Sequence, residues 1–145
     1  MDKTAQFFER IETEMAVTLA TASGHSVTMR AVSPVSYQRG ILIFTAPDSN
    51  KYRQMKANPH CCIAAGSFFA ECTVDFLGAT MLPANKALRD VYSAKFPGAF
   101  DAGIAFGGRN AEFLLLTPIR LSGWAFENDV PNAEGVPTVP FEIDL

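Results

Sequence analysis

Arg30 and the segment FTAPDSNKYRQM (44–55) hold the side chains best suited to chemistry. In the segment, a strand ending at Thr45 gives way to a turn, and a helix starts near Ser49. That places Lys51 and Arg53 in the helix's first turn. Helix N-termini carry partial positive charge and disfavour cations. An anion seated there reverses the sign of the effect. The Ser49 hydroxyl and the free N–H groups of the first turn would then complete a phosphate cradle. Arg30 lies in an otherwise apolar stretch, VTMRAV (27–32). Its guanidinium fork matches a phosphate in bidentate geometry. Plainer readings stay open. The two helix cations could extend into water, and Arg30 could be an edge residue or half of an ion pair. If the second and third strands pair, Arg30 comes near the turn after Thr45, and the two signals describe one site.

Other reactive residue types form no pattern. His25 falls in a turn and His60 follows Pro59, with no third ligand at metal-binding spacing. Cys61, Cys62 and Cys72 sit in apolar stretches without a CxxC pair, so they read as buried thiols. No Walker or dinucleotide fingerprint occurs, and Gly107-Gly108 reads as loop. Trp124 reads as packing in the core or at an interface. No metal site is expected.

These residues need elements to hold them. Phe7, Phe8, Ile11 and Met15 recur at helical spacing over residues 3–15, with Thr4 as the expected N-cap. Residues 16–22 and 26–33 read as a hairpin around Ser23-Gly24-His25, with Thr28, Arg30 and Val32 on one face. Residues 34–38 continue extended to a turn at Arg39-Gly40. ILIFT (41–45) is a strand that is apolar on both faces. A helix to about Ala57 ends before Asn58-Pro59. Strands follow at 61–66 and 69–81, the second with Gly78 as a bulge candidate. Then come a helix over 83–94, an irregular Gly-rich stretch over 96–110, and a strand pair or bent strand over 113–126 broken near Pro118. Residues 131–145 read as an extended or flexible arm. About six antiparallel strands with flanking helices predict a mainly β, small closed barrel.

The bulk properties agree. The 145 residues suggest one domain, and 48% apolar with 19% charged residues is a globular composition. A net charge of −3 argues against nucleic acid as a general partner. No apolar run is long enough to span a membrane, and the N-terminus does not read as a secretory signal, so a cytoplasmic location is expected. The twelve phenylalanines supply core mass and flat walls for an aromatic ligand.

The ordered set of features resembles the FMN-binding split barrel of the pyridoxamine 5'-phosphate oxidase superfamily. The matching pieces are LATASGHSVTMRAVSPV (19–35), ILIFTAPDSNKYRQMKANPHCCIAAG (41–66) and TVDFLGAT (73–80), with TPIRLSGW (117–124) fitting the closing segment loosely. The resemblance implies a six-stranded antiparallel split β-barrel. It implies that Arg30, Lys51 and Ser49 hold the FMN phosphate, with Asn50 where the family carries arginine. By the same resemblance, the backbone of Arg30, Ala31 and Val32 lies along the flavin ring and Phe44 and Thr45 flank it. It further implies a homodimer with flavins at the interface, in which Thr73 takes the place of a glutamine that reaches the partner's flavin. Val35 stands where true oxidases have a substrate-binding lysine, and no arginine or histidine follows Trp124. The resemblance therefore implies an FMN-dependent oxidoreductase whose small-molecule substrate is not pyridoxamine phosphate, or which oxidises a reduced nicotinamide. Two alternatives stand beside it: a flavin-binding electron carrier or sensor, and a split barrel that holds a deazaflavin or haem.

Overall fold

A computed structural model describes residues 2–101, 110–126 and 138–145. The Gly107-Gly108 loop and the first part of the 131–145 arm lie outside the described residues. Helix α1 (Lys3–Thr13) buries Phe7 and Ile11, and Asp2 caps it by accepting from the Thr4 and Ala5 amides. The expected cap, Thr4, is instead inside the first turn. Asp2 takes the role because its side chain is one residue clear of the helical backbone and faces those free amides.

The strands β1 (Val17–Ser23) and β2 (Ser26–Val32) form the expected hairpin, with Gly24 at positive φ in its turn. After Pro34 the chain makes a short β3 (Val35–Tyr37). It turns back through Gln38 and Arg39, both at positive φ, into β4 (Gly40–Thr45). Helix α2 (Asn50–Ala57) follows, then β5 (His60–Ala65) and β6 (Phe68–Ala79). One 3-10 turn (Pro83–Asn85) leads into α3 (Lys86–Lys95). A long β7 (Glu112–Phe126) and a closing β8 (Thr138–Asp144) complete the described chain.

The sheet is antiparallel throughout, in the order β2-β1-β5-β6-β7-β4-β3, with β8 paired to β7. Among the described residues it has eight strands where six were expected. The additions are the three-residue β3 and the strand β8, where an arm was expected over 131–145. β7 is one bent strand that changes partner along its length. Glu112–Thr45 begins its pairing with β4, and Arg120–Asp144 begins its pairing with β8. Pro118, which has no N–H, falls in the gap between these two partners while it stays in register with Cys72 of β6 on the other side. Against β6 the register slips there, leaving Ile119 as the extra residue, and slips again at Leu77 beside Gly78.

β4 explains its own composition. Ile41 and Ile43 enter the main core with Phe7, Ile11, Leu19, Ile63 and Leu116. Leu42 points the other way, into a second cluster with Val35, Leu88, Tyr92 and Phe113 beneath α3. Lys95 docks the end of α3, donating to the carbonyls of Ile11, Glu14 and Pro34 at 2.7 Å each.

Three sequence readings are decided by the structure. β2 pairs with β1, not with the β3–β4 segment, so strand pairing does not bring Arg30 to the turn after Thr45. Cys61 and Cys72 are buried free thiols, but Cys62 is exposed, because consecutive strand residues face opposite sides. His25 and His60 are exposed, and Trp124 is 53% exposed rather than core.

Candidate functional site at the split between β2 and β4

The cleft exists because the ladder is incomplete. β3 pairs only with Gly40, Ile41 and Leu42 of β4. Beyond them, Phe44 and Thr45 have β7 on one side and no strand on the other among the described residues. β2 likewise has β1 as its sole ladder partner among those residues. A cleft of about 590 Å³ opens between the two edges. That size suits a small organic ligand or cofactor. Ala31, Val32 and Ser33 line one side, and Phe44, Thr45, Ser49 and Lys51 line the other. Tyr92, Phe96 and the Pro97-Gly98-Ala99 turn form a third wall.

That third wall is aromatic and held in place. The Phe44 ring packs edge-on to Tyr92 with centroids 5.0 Å apart, and Phe100 and Phe113 extend the cluster. The Tyr92 hydroxyl donates to the Ser33 carbonyl at 2.8 Å, tying α3 to the end of β2. Burial pushes the Tyr92 phenol above its ordinary range, so it stays a donor.

The polar end of the cleft is the start of α2. Ser49 is the N-cap: its Oγ accepts from the Tyr52 amide and lies 3.0 Å from the Thr45 hydroxyl. The Ser49 amide bonds to Ala46 and the Arg53 amide to Ser49. The Asn50 and Lys51 amides have no partner among the described residues. Lys51 is half-buried, and its ammonium has no hydrogen bond or carboxylate partner among them. Burial, and then the nearby Arg30 guanidinium, hold its pKa below the usual lysine range.

Arg30 is fixed from beneath. Nη1 donates to the Leu19 carbonyl at 3.1 Å and to the Thr21 hydroxyl at 2.8 Å, and Nη2 donates to the Thr28 hydroxyl. Three of its five N–H donors are thereby used. The Nε–H and one Nη2–H stay free on neighbouring nitrogens, the pairing a phosphate takes bidentately. Its acceptors are all neutral, and burial lowers its pKa. Lys51, the two free amides and the Ser49 hydroxyl thus gather at the start of α2, with Arg30 near enough to act on the Lys51 charge and no carboxylate partner for either cation among the described residues. That donor set fits a phosphate, and the aromatic wall fits a planar ring beside it.

The sequence-based candidates divide. Ala31, Val32, Phe44, Thr45, Ser49 and Lys51 meet in one cleft. Arg30 is not in its wall but lies close enough to act on the Lys51 charge. Asn50 is exposed and does not line the cleft, and its backbone amide is one of the two left free at the start of α2. Arg53 folds back onto the Asp48 carbonyl and does not stand in for the family's arginine. Thr73 pairs with His60 and Thr117 on β6, away from this cleft. Sequence reasoning missed Phe96 and the polar trio Thr21, Thr28 and Gln54. The signal available was polar residues recurring on inward-facing positions.

A family model described as pyridoxamine 5'-phosphate oxidase matches residues 3–118. No curated protein matches by sequence. Solved structures do resemble the chain. One is a FAD-binding protein from Mesorhizobium loti, 15% identical, covering 85% of this chain and 94% of its own, with a TM-score of 0.64. Another is a haem storage protein from Vibrio cholerae, 12% identical, covering 81% and 91%, with a TM-score of 0.64. A third is a general stress protein from Bacillus anthracis, 11% identical, covering 83% and 92%, with a TM-score of 0.65. At these identities they are similar to this chain in fold.

Proposed function

Because the chain belongs to the pyridoxamine 5'-phosphate oxidase family, we propose that its cleft holds FMN and that the protein is a flavin-dependent oxidoreductase acting on a small molecule or a reduced nicotinamide. The observation that carries this reading is the phosphate-shaped donor set: Lys51 and Arg30 without a carboxylate partner among the described residues, beside the free Asn50 and Lys51 amides. Bound FMN supplies hydride or electron transfer at its ring. The chain's residues do the rest. Arg30, Lys51 and Ser49 bind the phosphate, and the edge backbone of Ala31 and Val32 lies along the ring. Phe44, Tyr92 and Phe96 exclude water from one side.

Pyridoxamine phosphate is not the proposed substrate. Val35, where true oxidases place a lysine, is buried in the second core at 3% exposure and cannot meet a substrate. Haem is the weaker alternative. Neither His25 nor His60 lines the cleft among the described residues, so no axial imidazole is in place. A second copy of the chain is the proposed partner, seated on the outer face of β2, where Val27 and Met29 are 72% and 70% exposed.

The test is FMN uptake. Purified protein mixed with FMN should show flavin absorption that stays with it through desalting and is released on denaturation. Arg30→Ala combined with Lys51→Ala should weaken FMN binding by roughly 3–6 kcal/mol, two charge-assisted bonds at about 1.5–3 each. No uptake by the wild type, or full affinity in the double variant, would count against the site. Oxidation of reduced nicotinamide by the loaded protein then separates a catalyst from a carrier or sensor.

A further inference from the structure

We infer that Gln54 is the positioning residue for Arg30, and that its being a neutral amide keeps the guanidinium charge available to the anion. The inference rests on the phosphate site proposed above. Gln54 is 5% exposed and Thr21 2% exposed, so this is a buried polar network. The Gln54 Oε1 accepts from the Thr21 hydroxyl at 2.5 Å and from the Thr28 hydroxyl at 2.6 Å. A hydroxyl has one proton to give. With both protons committed to Gln54, only lone pairs face Arg30, and the guanidinium donates to both. The Gln54 Nε2 points the other way, toward the Ser26 carbonyl at 3.4 Å. One side chain on α2 therefore sets the polarity of two hydroxyls on β1 and β2, and they in turn orient the arginine.

The helix makes this a device for the whole site. Gln54 and Lys51 lie three residues apart on α2, which puts them on neighbouring positions of one face. Anchoring Gln54 to the β1–β2 hairpin thus registers Lys51 against Arg30. A glutamate at 54 would accept the same two protons and hold Arg30 as firmly. It would also place a negative charge one hydroxyl away from the guanidinium and offset the field that draws the anion. The amide gives the geometry without the neutralising charge.

Two measurements test this. In 15N-labelled, ligand-free wild-type protein, Arg30 should give a resolved side-chain Nε–H signal, because three acceptors hold the group. Gln54→Met keeps the volume and removes the acceptor, so the signal should broaden or collapse into those of exposed arginines. The second measurement compares Kd for FMN and for riboflavin, which shares the ring and lacks the phosphate. Gln54→Glu should cut the preference for FMN by about tenfold or more. Its riboflavin affinity should stay within about threefold of the wild type, which also shows that the variant folds. A Gln54→Glu protein with the wild-type preference overturns the inference. So does a wild type with no resolved Arg30 signal, or an unchanged signal in Gln54→Met. A wild type that binds FMN no tighter than riboflavin overturns the phosphate site instead, and the Arg30 signal in Gln54→Met then still decides the role of Gln54.

Discussion

Lys51 sits at the positive end of α2, half-buried, with Arg30 nearby and no carboxylate partner among the described residues. Burial and Arg30 both push its pKa below the usual lysine range, so its charge is lost at a lower pH than that of a free lysine. An anion binds the protonated form. Affinity is therefore full while Lys51 is charged and falls as pH rises through its depressed pKa. FMN Kd, measured by fluorescence quenching from neutral to alkaline pH, should rise by about tenfold or more as that contact is lost. The rise should begin before ordinary lysines titrate. Lys51→Arg keeps its charge over this range and should flatten the profile. The same alkaline rise in Lys51→Arg would assign it to another group. At this scale the residue types were legible in the sequence, because two cations at a helix start break a local rule; the structure satisfies Arg53 with the Asp48 carbonyl and leaves Lys51 without a partner among the described residues. The partners of Arg30 were not, since Thr21, Thr28 and Gln54 meet across a sheet and a helix.

Among the elements, Gly123 of β7 lies against the turn between β5 and β6. A Cβ there would stand 2.1 Å from the Ser67 carbonyl oxygen, a backbone atom that cannot swing aside. Gly123→Ala should cost about 2–3 kcal/mol in chemical denaturation, the range of an overpacked site whose backbone must shift. A cost within about 0.5 kcal/mol would mean that the strands part there freely. Most elements could be read from local pattern: the hairpin of β1 and β2, the two-faced β4, and α2 between Ser49 and Asn58-Pro59. β8 was missed although Val139, Phe141 and Ile143 alternate along it, because the run is short, Pro140 interrupts it, and its pairing partner is the distant second half of β7. The N-cap of α1 is Asp2 rather than Thr4 because two residues on either side of Lys3 both offer a capping oxygen, and local sequence does not choose between them.

For the whole molecule, the outer face of β2 carries Val27 and Met29 well exposed, with Ala31 of the cleft on the same side. Placing a second copy on this face would bury those side chains and bring its residues to the cleft. Val27→Glu leaves the fold of one copy intact, because that side chain is already in water. It should convert a dimer to a monomer in light scattering and weaken FMN binding in parallel. A wild type that is monomeric at micromolar concentration would remove this part of the proposal.

Local chemistry determined much of this protein. Alternation and helical spacing defined most of its strands and helices, Lys51 beside Ser49 stood out as a departure from helix electrostatics, and Arg30 stood out as a charge in an apolar strand. Tertiary structure decided which of these residues share a cleft. A pairing of the second and third strands, the condition under which Arg30 would approach the turn after Thr45, does not occur, and the cleft opens where two sheet edges are unpaired, between Ala31–Ser33 and Phe44–Thr45. A single sequence carries no record of an unpaired edge, because which strands lack a neighbour depends on the order of the entire sheet. The same holds for Gln54, whose role comes from three elements closing over one another.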